Sequence, residues 1–141
     1  QRAEKEAVER LGIERRHLPL DPMTSRGADD AEEYARAIAA IVEANRESRA
    51  AMIHCEAGVQ RTGVAVAFYR ILIQGWSPER AYREMLEYKW DPIDDYILIR
   101  YANRNLPETA RLLVEKGALD KPPAPMPEFA QPEKAGEPAP Y

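Results

Sequence analysis

Apolar residues in this 141-residue chain fall into stretches with two different periods. Tyr34, Ile38, Ile41 and Val42 recur at the three-and-four spacing of one helical face, which predicts an amphipathic helix over residues 29–45. Residues 64–73 are apolar almost throughout, as expected of a central buried helix, and Gly75 ends it. Ser77 and Pro78 supply an N-cap and a proline at the first helical position. Behind them, Ala81, Tyr82, Met85 and Leu86 form a narrow apolar stripe. Residues 96–102 and 108–114 predict two further helices parted by Pro107, because proline lacks a donor and its ring collides with the preceding turn. At the front, residues 4–11 read as a helix closed by Gly12, where a left-handed cap is favoured.

Two shorter runs lack the helical period. Residues 15–20 and 50–53 read as strands, the second one buried. Strand, turn and helix in succession predict an α/β domain with a central, mostly parallel sheet flanked by helices. Two strands do not make an independently stable sheet, so the expectation includes N-terminal strands missing from the chain, upstream of Gln1. A start at glutamine rather than methionine is read in the same sense, as an upstream segment removed or left out. The domain is expected to span residues 1–118. Seven of the twelve prolines lie beyond Gly117, so residues 119–141 are expected to form a Pro-rich flexible tail. Plain solvation is the simpler role for it, and a proline-recognising partner the alternative.

Composition narrows the classes of function. A net charge of −4 gives no general attraction to nucleic acid or to an anionic membrane, so any anion binding must be local. With a single cysteine no internal disulfide can form, and no Cys/His cluster suggests zinc, so neither metal nor cofactor is expected. No apolar run approaches transmembrane length and no signal peptide is visible, which points to the cytoplasm.

The candidate chemistry lies between the second strand-like run and the central helix. The stretch reads His54-Cys55-Glu56-Ala57-Gly58-Val59-Gln60-Arg61-Thr62-Gly63. Gly58 can take a positive φ where the loop must curl, and Gly63 lets the helix pack closely. Backbone N–H groups from Glu56 to Arg61 can then converge on one point at the N-terminus of a helix, a nest that suits a phosphate dianion. Those groups also stabilise a thiolate on Cys55. His54 can hold the loop in shape, and the Thr62 hydroxyl can donate to the sulfur. Arg61 offers a planar fork that matches two phosphate oxygens.

This loop resembles the signature of the cysteine-dependent protein tyrosine phosphatase superfamily, His-Cys-x5-Arg-(Ser/Thr). It is most similar to the compact dual-specificity branch, including small bacterial members. The likeness covers roughly residues 11–102 and is dense only over residues 54–63; the run Gly75-Trp76-Ser77-Pro78-Glu79 and the helix after it also look bacterial. The resemblance implies that Cys55 attacks phosphorus in line and forms a phosphocysteine, with Arg61 and the loop amides holding the equatorial oxygens. It also implies a general acid on a loop some thirty-odd residues upstream, a place that fits Asp21 after His17-Leu18-Pro19-Leu20. Asp29 and Asp30 are the alternatives, although stabilisation of a helix start accounts for them. His17 is read as structural. Asp91, Asp94 and Asp95 fall where the family rims its pocket, and turn formation and capping explain them equally well.

The implied substrate is phosphotyrosine, with phosphoserine and phosphothreonine as extensions, in a protein or a small phosphomonoester. Residues 54–59 are also similar to cysteine-type phytases, which makes an inositol-polyphosphate phosphatase the alternative. Against it, the loop supplies only Arg61 as a cation, and Glu56 adds a negative charge. A non-catalytic phosphate-binding module would need Cys55 to be inert or the acid to be absent.

Overall fold

The computed structural model describes residues 2–20, 30–91, 93 and 96–131. It contains helices α1 (Arg2–Arg10), α2 (Ala31–Arg46), α3 (Gln60–Leu72), α4 (Pro78–Glu87) and α5 (Tyr96–Glu115). Among the described residues there is no strand. The predicted α/β sheet is therefore corrected to a helical assembly. Residues 13–20 and 51–55 are non-helical, and among the described residues neither forms a strand ladder with another segment. The supposed buried strand is exposed at Ala50, Ala51 and Met52, the last 85% accessible. A short apolar run forms a buried strand only against a partner edge, and here the helices supply the buried surface instead.

Helix α3 lies at the centre, packed on α2, α4 and α5, while α2 and α5 run along each other. Its Val64, Phe68 and Ile71 meet Tyr34 and Ile38 of α2, Tyr82 and Met85 of α4, and Leu98, Ile99, Leu106 and Leu113 of α5 in one buried cluster. The Tyr34 and Phe68 rings are tilted 55° with centroids 5.0 Å apart, an arrangement that adds to plain area burial. Arg70 grips Glu84 through two hydrogen bonds of 2.9 and 2.7 Å and joins α3 to α4. Arg70 and Arg80 also both lie over the Trp76 ring, 4.5 and 3.6 Å from its centre. At the start of α4, Ser77 accepts from the Arg80 N–H at 3.3 Å and Pro78 follows it, the predicted cap.

Two expectations about the C-terminal half change. Pro107 lies inside α5 rather than between two helices. An interior proline costs a helix about 3 kcal/mol. Here Leu98, Ile99, Ala102 and Leu106 before or beside it, and Ala110 and Leu113 after it, are all buried on one continuous face, and that burial offsets the lost bond. Residues 119–131 are the described part of the segment read as a tail, and three of their apolar side chains reach the core. Leu119 and Met126 pack on the core, and Phe129 is only 2% exposed. Asn103 of α5 receives the Phe129 N–H at 2.9 Å and donates to its carbonyl at 2.8 Å, so one side chain satisfies both backbone groups.

Helix α1 buries no residue and packs on no other helix. It ends in a left-handed Gly12 (φ +65°), with the Ile13 N–H reaching back to Val8 at 2.9 Å. No helix among the described residues is long and apolar enough to cross a membrane. Phe129→Ala is expected to destabilise the protein by about 3 kcal/mol in urea unfolding; a loss within 0.5 kcal/mol, about the size of a surface substitution, would refute its role in the core.

Candidate active site

The loop from Cys55 to Val59 enters α3 four residues earlier than the apolar pattern predicted, so Arg61, Thr62 and Gly63 lie in the first turn of that helix. The first intrahelical bond here runs from the Gly63 N–H to Val59 at 2.7 Å. N–H groups ahead of it have no acceptor within the helix, and they carry the partial positive charge of its N-terminus. No acidic residue sits in this turn to cancel that charge. The burial of Val64, Ala65, Ala67 and Phe68 just behind it anchors the helix end. Gly63 faces Trp90, where an added Cβ would stand 3.5 Å from the ring, and Trp90 is itself 3% exposed. The loop is thus fixed from behind and open in front, where Glu56, Ala57, Gly58 and Gln60 are exposed.

Gly58 adopts φ +73°, the left-handed turn predicted from sequence, and its N–H reaches the Cys55 Sγ at 3.2 Å. Cys55 itself is half-buried. Partial burial pushes its thiol up. The Thr62 hydroxyl and the N–H groups of Thr62, Gly58 and Ala57 outweigh that, bringing the thiol from 9.0 down to about 7. The Thr62 Oγ1 is buried without a hydrogen-bond partner among the described residues, which leaves it available to the sulfur whose thiol it helps to lower. No carboxylate pairs with Arg61 among the described residues, so its guanidinium is available for phosphate oxygens. No group of three or more His, Cys, Asp or Glu among them is placed to hold a metal ion.

His54 stands between two acceptors. Its Nε2 lies 3.3 Å from Glu4 Oε1 on α1, and its Nδ1 lies 3.3 Å from the carbonyl oxygen of Cys55. The same Glu4 carboxylate accepts from Arg15 at 2.9 Å, a bond that holds it below the usual carboxylate range, and His54 contributes in the same direction. Glu4 was not anticipated. It is fifty residues from His54, and only folding brings the two together.

Of the three candidate acids, Asp21 and Asp29 lie outside the described residues. Asp30 is the N-cap residue of α2, yet its side chain does not cap the helix. It is 8% exposed and accepts from the Tyr101 hydroxyl, while its N–H donates to Asn105 Oδ1 at 3.1 Å. Burial pushes the Tyr34 phenol well above its ordinary value. Tyr101 and Arg61 act against that rise, while Asp30 and Cys55 add to it. Tyr34 is therefore within electrostatic reach of Asp30 and of both loop residues. The tyrosines read as packing thus include one, Tyr101, that donates to a buried carboxylate and meets Tyr34 edge-on with ring centroids 6.2 Å apart. Asp91 accepts from the Ile93 N–H at 2.8 Å, a local turn; Asp94 and Asp95 lie outside the described residues. His17 is exposed.

Comparison with protein families agrees with this geometry. The family model for Tc-R-P, "Polymorphic toxin system, DSP-PTPase phosphatase", matches residues 1–75, more than half of the chain. The matched region runs from α1 through the loop to the end of α3. The chain belongs to this family of dual-specificity-type phosphatases. Neither the curated proteins nor the solved structures provide a match.

Because the Cys55 thiol is held near 7, the thiolate fraction rises as pH passes upward through that value. Inactivation by iodoacetamide should follow it, with a midpoint near pH 7. Thr62→Val removes the hydroxyl and should move the midpoint upward. A midpoint at an ordinary cysteine value in the unsubstituted protein would contradict the geometry.

Proposed function

We propose that this phosphatase hydrolyses phosphomonoesters through a phosphocysteine on Cys55, acting on phosphotyrosine and, by extension, phosphoserine or phosphothreonine in proteins. The observation that carries this reading is the Gly58 N–H at 3.2 Å from a sulfur whose thiol is lowered to about 7, on the N-terminal turn that also bears Arg61. A nucleophile ionised at neutral pH beside a free guanidinium is the combination that displacement at phosphorus requires. Membership in a phosphatase family supports the same reaction.

In the first step the Cys55 thiolate attacks phosphorus, a sulfur–phosphorus bond forms and the bond to the leaving oxygen breaks. The loop amides and Arg61 hold the three equatorial oxygens as their charge redistributes. Asp21 is the proposed acid that gives its proton to the leaving oxygen. It then serves as the base that takes a proton from the water attacking the phosphocysteine, and that attack releases inorganic phosphate and restores the thiolate. Thr62, acting on the sulfur, stabilises the thiolate as it leaves. Asp30 is the alternative acid, supported by its burial; its tie to Tyr101 argues for a supporting role instead. The cytoplasm is the proposed compartment.

Turnover of para-nitrophenyl phosphate should vanish in Cys55→Ser while vanadate binding persists; surviving turnover would remove the cysteine from the mechanism. Asp21→Asn should lower kcat by about 10²–10⁴-fold and flatten the limb of the pH profile on which the acid must be protonated. The same result in Asp30→Asn, with Asp21→Asn unchanged, would transfer the role to Asp30.

A further inference from the structure

Beside the catalytic loop, α1 and the extended segment after it enclose an open depression of about 380 Å³ lined by Arg2, Lys5, Arg15 and His17. Three of the four lining side chains, Arg2, Lys5 and Arg15, are cationic. Two carboxylates lie close by. Glu6 pairs with Arg2 at 3.1 Å on the exposed face of α1, and Glu4 pairs with Arg15 at 2.9 Å. Among the described residues, Lys5 and His17 pair with no carboxylate. The depression therefore keeps an excess of positive charge in a chain whose overall charge is −4.

Its position gives this charge a use. Glu4 Oε1 contacts both Arg15 Nε, at 2.9 Å, and His54 Nε2, at 3.3 Å. The wall of the depression is thus one carboxylate away from the residue that precedes Cys55. A substrate whose phosphate sits on the loop extends over neighbouring surface, and a second anionic group on it would meet Lys5 and Arg2 there. Glu56, exposed on the loop, repels such a group at the loop itself and favours its placement on the basic side.

We propose that Arg2, Lys5, Arg15 and His17 form a second anion subsite, which reads a further phosphate or carboxylate on the substrate next to the phosphate being removed. The proposal rests on the phosphatase reading above. The subsite chemistry is shared by two sources: an acidic side chain or second phosphate flanking a phosphotyrosine, and a neighbouring phosphate on an inositol polyphosphate. Exposed charges of this kind contribute modestly and are screened by salt. Selectivity of roughly three- to tenfold is expected from them.

The test compares kcat/KM for four substrates: para-nitrophenyl phosphate, a neutral phosphotyrosine peptide, the same peptide flanked by glutamates, and inositol hexakisphosphate. The full chain should prefer at least one of the two multiply charged substrates over its singly charged counterpart, and the one preferred identifies the source. The double variant Arg2→Gln/Lys5→Gln should lose that preference by roughly three- to tenfold and keep its rate on para-nitrophenyl phosphate. No preference in the unsubstituted protein, or an equal loss on all substrates, would overturn the subsite. No turnover of any substrate would instead overturn the phosphatase reading. Calorimetric titration of Arg61→Ala with inositol hexakisphosphate and, separately, with the glutamate-flanked phosphotyrosine peptide tests the subsite without turnover: binding of either that Arg2→Gln/Lys5→Gln removes supports it, and absent binding of both, or binding that the double variant leaves unaffected, refutes it.

Discussion

The buried seat of α3 is the constraint on which the rest depends. A helix N-terminus attracts an anion only where its first N–H groups are held still and left unpaired. Phe68 and Ile71 press against α2, α4 and α5, Arg70 is clamped to Glu84, and Trp90 closes over Gly63. With the helix so fixed, the turn from Cys55 to Arg61 has one end it cannot move. The Gly58 N–H then reaches the sulfur at 3.2 Å, and the N–H groups of Ala57 and Thr62 add to the pull that lowers its thiol. The electrostatic result is a thiol near 7 despite a net negative chain, because local geometry outweighs total charge at this distance.

Around this centre the structure divides into a packed body and a lightly held margin. The body comprises α2 to α5 together with the segment that inserts Phe129, and polar side chains satisfy some of its internal backbone groups, as Asn103 does for Phe129 and Asn105 for Asp30. The margin is α1 with the extended segment behind it, linked to the loop by the contacts of Glu4 with Arg15 and His54 rather than by buried area. The proposed chemistry falls on the packed part, and the proposed anion subsite on the exposed part. This division suits an enzyme that must fix a thiolate and still accept a bulky phosphoester.

The turn of the loop was legible in the sequence because it is local: Cys55, Gly58, Arg61 and Thr62 lie within eight consecutive residues, and Gly58 takes the left-handed turn that brings its N–H to Cys55. The Ser77–Pro78 cap and the turns at Gly12, Gly58 and Gly75 were legible for the same reason. Long-range pairing was not. Residues 50–53 carry a strand's composition, but composition does not provide a partner edge, and Met52 stands in solvent. Pro107 signals a helix break wherever the flanking faces do not align, and here they do. Phe129 sits among prolines whose local preference is an extended tail, and its burial depends on Asn103, twenty-six residues away. The approach of Glu4 to His54 and that of Asp30 to Tyr101 likewise depend on tertiary placement that no periodicity records.

A covalent intermediate on the loop cysteine is the central claim, and trapping it is the most direct test. Rapid acid quench of the enzyme during its first turnover of a phosphotyrosine peptide, followed by mass spectrometry of the fragment containing Cys55, reads the claim directly. The account predicts one added phosphoryl group on Cys55, absent in Cys55→Ser and accumulating when Asp21 is replaced in the presence of a good leaving group. Phosphoryl transfer to another side chain, or full turnover with Cys55 never modified, would contradict it.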